Sequence, residues 1–435
     1  MTPSHRKPPE PSRTAGAARP AVSEADLPAV QRRITTVLVA KEMLGSLGVP
    51  LSTALTPTPA AEISGTESLS GLATTAAVVG AALAALPLAA LANTHGRRAG
   101  LLAGYATATL GAGLVVLAVS VESFPLLLLG MAAFGTASSA GLQGRFAAAD
   151  LAPPERRARA ISAVVWASTV GAVVGPNLTA PAGEMFAGTA IPAAAGPFVW
   201  AAAVFTLTGT LIAVLLRPDP LLTARALGTS DDQPSEGPLW RAGLAAVKAS
   251  PRARLALLTL TVCHTTMISI MVMTPVELAH HGADLDLVGL VVSCHIGGMF
   301  AFSPLMGRLA DRAGRLTGIG LAAGLLPIAA LVAGTASGGH AQSAAGLFLL
   351  GLGWSAGTVA GSALLTDSVP LSARAAAQGL SSLAMSAAAA IGSVLAGLVM
   401  AQAGYGLLST ISAALLLPVA ALLMFTALRH RPAPQ

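Results

Sequence analysis

The chain has 435 residues, 54% of them hydrophobic and only 10% charged, with a formal net charge of +6. A soluble domain carries roughly 25% charged residues, so this composition excludes an ordinary soluble fold and points to a chain that lives in a lipid bilayer. Two cysteines in all exclude a secreted disulfide scaffold.

Residues 1–33 are rich in Pro, Ala, Ser and Arg and contain no apolar run. They read as a disordered cytoplasmic tail without a cleavable signal. Apolar segments long enough to cross a hydrocarbon core of about 30 Å follow, at about 34–55, 69–92, 99–120, 124–147, 160–182 and 192–216. These form a first bundle, 34–216. The polar stretch 217–252 reads as a cytoplasmic linker. Six more segments follow at about 253–276, 288–307, 316–335, 342–365, 378–402 and 405–428, a second bundle over 253–428, with 429–435 as a short cytoplasmic tail. The predicted fold class is an all-α membrane protein with twelve transmembrane helices in two pseudo-symmetric six-helix halves.

The placement of Lys and Arg fixes an orientation. Arg97, Arg98, Arg156, Arg157, Arg159, the linker arginines, Arg308, Arg312, Arg315 and Arg374 all fall in connections on one side. The opposite connections hold no Lys or Arg, only acids such as Glu62, Glu67, Glu122 and Glu184. By the positive-inside rule both termini are cytoplasmic, in a multi-pass protein of the plasma membrane. The basic charge is thus topology, and nucleic acid is not an expected partner.

The halves also repeat. LANTHGRR (Leu91–Arg98) answers LADRAGRL (Leu309–Leu316) at an offset of 218, and DLAPPERR (Asp150–Arg157) answers DSVPLSAR (Asp367–Arg374) at 217. Two matches at nearly one offset indicate a duplicated six-helix unit. The stretch Gly307–Arg315, GRLADRAGR, resembles the loop signature of the major facilitator superfamily, and the resemblance spans about 34–428. It implies a secondary transporter in which Gly307, Asp311, Arg312 and Arg315 act as gating elements. The first-half copy departs from the signature, with Ala89 for Gly, Asn93 for Asp and Thr94 for Arg. GAVVGP (Gly171–Pro176) resembles the start of a motif of proton-coupled drug antiporters, although Gly-x-x-x-Gly spacing is also ordinary helix packing. The fourth span, LLLLGMAAFGTASSAG, has no charge in its first two-thirds, where many drug exporters carry an arginine.

Lys41 and Glu42 interrupt the first span, and charges at depth are functional candidates. Glu42 is a candidate for carrying a coupling proton. Neighbours on a helix point about 100° apart, so the two are not expected to pair with each other.

Half of the protein's 22 Met, His and Cys residues fall between 263 and 306. On the seventh span Cys263, Met267 and Met271 stand at i, i+4 and i+8 with His264 beside them, within an arc of about 100°. On the eighth, His295 and Met299 stand at i and i+4, and Met306 lies about 10 Å further along the same stripe. Cys294 adjoins His295. Glu277, His280, His281, Asp284 and Asp286 mark the outer mouth. Thioether, thiol and imidazole donors in series suit Cu(I) and weak, successive binding. MxxxM (Met267–Met271) followed by HxxxM (His295–Met299) resembles the CcoA-like copper importers of the same superfamily, which implies metal-ligand roles for those four residues. Cys263, His264 and Met306 join them on geometry.

The sequence thus predicts a monomeric transporter importing a copper ion or small copper chelate by alternating access, copper being substrate rather than cofactor. Export of a drug or secondary metabolite, and import of a vitamin-like molecule, stay open; relatives in that wider group take up riboflavin. No nucleophile-base-oxyanion set, phosphate loop or nucleotide domain is present, so no enzymatic activity is expected.

Overall fold

A computed structural model of the protein describes residues 24–53, 57–66, 69–186, 188–189, 191–228 and 238–428. All regular structure among them is helical. In hydrocarbon a backbone must satisfy its own hydrogen bonds, and a helix of 20 residues spans about 30 Å. The spanning helices are α1 (Leu27–Thr53), α2 (Ser70–His95), α3 (Arg97–Ser120), α4 (Phe124–Phe134 continued by Thr136–Ala147), α5 (Arg157–Glu184) and α6 (Gly196–Leu215). The second set is α7 (Pro251–His280), α8 (Leu285–Ile296, a π-helical turn Gly297–Ala301, then Ser303–Arg312), α9 (Arg315–Gly334) and α10 (His340–Ser368). One run, Arg374–Ala414, breaks at Gly404 (φ 77°) into α11 (374–403) and α12, which continues through Leu417–Leu428.

Most of these helices are apolar along a membrane-length window. α1 carries Lys41 and Glu42 near its middle. It also begins seven residues before the expected first span, so 27–33 are helix rather than disordered tail. Gln31 explains why: its Nε2 donates to the carbonyl of Ala148 at 2.8 Å, docking this first part of α1 on the end of α4. Residues 1–23 and 429–435 lie outside the described residues.

Small side chains let the helices cross closely. A Cβ added at Gly80 of α2 would lie 1.8 Å from the carbonyl oxygen of Ala132 in α4. One at Gly171 of α5 would lie 2.2 Å from the Ser46 carbonyl of α1, so the GAVVGP segment serves close packing here.

Within the predicted linker, the described parts 217–228 and 238–252 hold regular structure. Pro220–Leu227 and Leu239–Ala249 are helices. Asp219 caps the first through the backbone N–H groups of Leu221 and Leu222, and also accepts from the N–H of Arg98 at 2.7 Å. That part of the linker is therefore docked on the start of α3. The second helix packs on α11, where Gly243 faces the Ala376 carbonyl.

Candidate functional site

Between the two halves lies a cavity of about 470 Å³. α1, α3, α4 and α5 supply one wall, through Glu42, Tyr105 and Arg145 among others. α7, α8 and α10 supply the other, through His264, Met267, Met271, Met299, Phe300 and Trp354. Because α1 starts at Leu27, Lys41 and Glu42 lie about four turns in, at cavity depth.

The structure corrects the expectation that these two neighbours do not pair. Lys41 Nζ lies 2.7 Å from a Glu42 carboxylate oxygen, and Lys41 is fully buried. The Cβ directions do diverge, but a lysine stem is long enough to fold back. The alternative, two unpaired charges at depth, costs several kcal/mol per ion. Gly144 gives the ammonium room, since a Cβ there would sit 2.5 Å from Nζ. The ammonium also lies over the Tyr105 ring, 5.4 Å from its centroid. The other Glu42 oxygen accepts from Ser168 Oγ at 2.9 Å and faces the cavity.

The soft-donor series is divided. Met267, Met271, Met299 and His264 border the cavity. Cys263 does not: its Sγ lies 2.7 Å from where a Cβ on Gly357 would sit, so it packs between α7 and α10. His295 is also off the cavity, fully buried, with Nδ1 2.8 Å from the Leu347 carbonyl on α10 and Nε2 without a partner. Met306 is buried further toward the Arg-rich end, in the half of α8 beyond the π turn. The rotation that separates them is set by glycine: α8 and α10 approach until a Cβ at Gly351 would touch the His295 carbonyl oxygen at 2.4 Å. Nor do the outer acids and histidines gather. His281 sits by Glu277 on its own helix, Asp284 caps α8 through Leu287 N–H, and no metal-holding group of three His, Cys, Asp or Glu side chains forms among the described residues.

In place of His295, His264 meets the cavity. The indole N–H of Trp354 donates to its Nδ1 at 3.1 Å. An indole N–H can only donate, so in the neutral ring the imidazole proton resides on Nε2. Trp354 meets Phe300 edge-on, ring centroids 5.8 Å apart, so two aromatic rings border this wall. Sequence reasoning also missed Arg145. It borders the cavity and is 3% exposed. The signal was available: it is the one charge inside the span 124–147.

At the Arg-rich end the halves are closed against each other. Asp311, its side chain fully buried, accepts from the backbone N–H groups of Ala158 and Arg159 at the start of α5, at 3.1 and 3.0 Å. It also pairs with Arg159 Nε at 3.0 Å and Arg315 Nη1 at 2.5 Å. Arg315 continues to Asp367 (3.0 Å) and to the Pro154 carbonyl, while Arg157 reaches Asp367 at 2.6 Å. Gly307 meets Ser162, whose carbonyl accepts from Ser303 Oγ at 3.0 Å. Arg312 is exposed and stands apart from this network. In the first half, Arg97 holds Asp150 at 2.7 Å and donates to Gln378 of α11.

The model of the Major Facilitator Superfamily matches residues 43–277 and 255–435. The chain belongs to the major facilitator superfamily. Among curated relatives, the uncharacterized MFS-type transporter YdeG of Bacillus subtilis is 35% identical over 89% of this chain and 91% of its own length. The riboflavin transporter RfnT of Brucella anthropi is 28% identical over 86% of this chain and 90% of its own length. Among solved structures, a bacterial homologue of the iron transporter ferroportin in its outward-facing state aligns with TM-score 0.70 at 17% identity, over 91% of this chain and all of that one. The transporter FucP in its outward conformation aligns at 0.69 and 15%, over 92% of this chain and 99% of that one. At such identity these two speak to the fold alone. The superfamily member is thus a membrane transporter and not an enzyme.

Proposed function

We propose that this superfamily transporter takes up a planar organic solute of vitamin size by alternating access through the central cavity. The observation that carries this reading is the cavity itself. Its volume of about 470 Å³ lies in the range of small-molecule sites, and its walls are apolar and aromatic with few polar groups. The relative that transports riboflavin supports the same class of solute. With the Arg-rich end cytoplasmic, in the plasma membrane with both termini inside, the state described is closed inward. Asp311, Arg315 and Gly307 then form the inner gate. The cavity is completed within one chain, so a monomer suffices. Cells expressing the protein are expected to accumulate labelled riboflavin above a vector control, and Trp354→Ala to abolish the difference. Uptake equal to the control would sink the reading.

Glu42 is assigned proton coupling, because it faces the cavity while tied to Lys41 and Ser168. Glu42→Gln should remove uptake driven by a pH gradient and leave solute exchange intact; gradient-driven uptake at the wild-type level would refute the role.

Copper is the second reading, favoured by three thioethers, Met267, Met271 and Met299, on one cavity wall beside His264. Neutral soft donors suit Cu(I). His295 is the weak member of that set, off the cavity. Copper accumulation that falls when the three methionines become Leu, with riboflavin uptake absent in wild type, would favour this reading over the first.

A further inference from the structure

Arg145 lies in the last turns of α4, at the cavity floor, and is 3% exposed. Its Nε has no hydrogen-bond partner, and Nη2 donates to the sulfur of Met385, 3.3 Å away on α11 in the other half. The guanidinium lies over the Phe146 ring, 5.0 Å from its centroid. Among the described residues no carboxylate is within ion-pair distance of it; Glu42, which shares the cavity wall, is taken by Lys41 and Ser168. A thioether is a weak acceptor, and a buried cation without an anion is costly. The site is thus short of one good acceptor.

We propose that Arg145 reads the transported solute, which carries an anionic or carbonyl acceptor edge that takes the guanidinium from Met385. The proposal rests on the central cavity as the solute site and adds the chemistry of the solute. A guanidinium fork matches a carboxylate, or a heterocycle edge where a carbonyl stands beside an unprotonated ring nitrogen, with two parallel hydrogen bonds. The neighbouring groups fit a ring bearing such an edge. Trp354 and Phe300 offer an aromatic face, and His264 shares the same wall with its proton on Nε2. Because Met385 belongs to the other half, the exchange of acceptors also removes a contact between the halves at the cavity floor. Solute binding therefore favours the rearrangement that opens the Arg-rich end, through a contact that differs between the two states.

The test is calorimetric titration of the full chain in lipid nanodiscs with riboflavin (ring carbonyls), 4-aminobenzoate (an aromatic carboxylate) and indole (an aromatic without an acceptor edge). At least one of the first two should bind wild type. Arg145→Gln should weaken that binding by about tenfold or more, the scale of a lost hydrogen bond to a charged group, with Arg145→Lys in between. Met385→Leu, which keeps the volume and removes the sulfur, should bind as tightly or a few-fold tighter; a merely structural contact would make it behave like Arg145→Gln. Unchanged affinity in Arg145→Gln, or binding of neither acceptor-bearing probe to wild type, overturns the proposal. If Arg145→Gln does not fold, Arg145→Lys decides, and unchanged affinity there overturns it. Trp354→Ala separates the two readings. Binding lost in Trp354→Ala but untouched at Arg145 overturns the role of Arg145 and spares the cavity, whereas indifference to both residues overturns the cavity as well.

Discussion

The two halves carry the same loop, folded into two different devices. Gly96 and Gly314 both open their helices at positive φ, 89° and 97°. Arg97 pairs with Asp150 as Arg315 pairs with Asp367, in keeping with the near-constant offset of the repeat. One position separates them. Asp311 reaches across to the first turn of α5, where free N–H groups and the helix dipole favour a carboxylate. Its counterpart Asn93 bonds to the linker instead of the other half, its carbonyl and side-chain oxygen accepting from Arg225 at 2.5 and 2.6 Å. The second-half copy is a latch between the halves, and the first-half copy is a mooring for the linker. A duplicated sequence keeps its internal ion pair and diverges where it touches something outside the repeat.

Asp311→Asn, which makes the latch resemble the mooring, should have the largest effect. Arg315 and Arg159 lose a buried anion shared by both, worth roughly 3 kcal/mol. A cysteine placed at Ser162, buried in the latch, should then react with maleimide about tenfold faster than in an otherwise identical protein; an unchanged rate would show that the latch does not hold the halves. Arg225→Ala should act in the mooring alone. It is expected to lower the melting temperature by a few degrees, about 1 kcal/mol, while the Ser162→Cys labelling rate stays put. A rise in labelling would mean that the linker helps to close the gate. Asn93→Asp should matter least, within about 0.5 kcal/mol, because the new carboxylate at this buried position meets the half-buried Arg225, which already donates there. Combined with Asp311→Asn it should not restore slow labelling, and restoration would erase the distinction between the two copies.

How much of this was legible follows from which physics each feature depends on. The spans and the repeat rest on local composition and spacing, and the sequence carries both. The cavity lining rests on helix rotation, which is decided by contacts between helices. His264 and His295 look alike on their segments, yet the close approach of α8 and α10 at Gly351 turns one ring away while the other meets the cavity. Cys263 lies one position from His264 and packs toward Gly357 for the same reason. Lys41 and Glu42 defeated a rule based on Cβ direction, because a flexible side chain answers to the surrounding dielectric before it answers to helix geometry. Arg145 was passed over near the end of an apolar run, where a basic residue is ordinarily topogenic; only the fold shows that it faces inward.

Arg159 and Asp367, two members of the latch, remain in touch with solvent, their side chains 43% and 26% exposed. Dissolved ions can therefore enter the argument between the halves, but from one compartment only. At 0.15 M salt the screening length is about 8 Å, far shorter than the membrane is thick. Raising ionic strength on the Arg-rich side should shorten the dwell time of the closed gate, and the same salt on the opposite side should leave it alone. Under the alternating access proposed above, the latch would act as a one-sided ionic timer, with a cycling rate that depends on the electrolyte of the compartment that its arginines face.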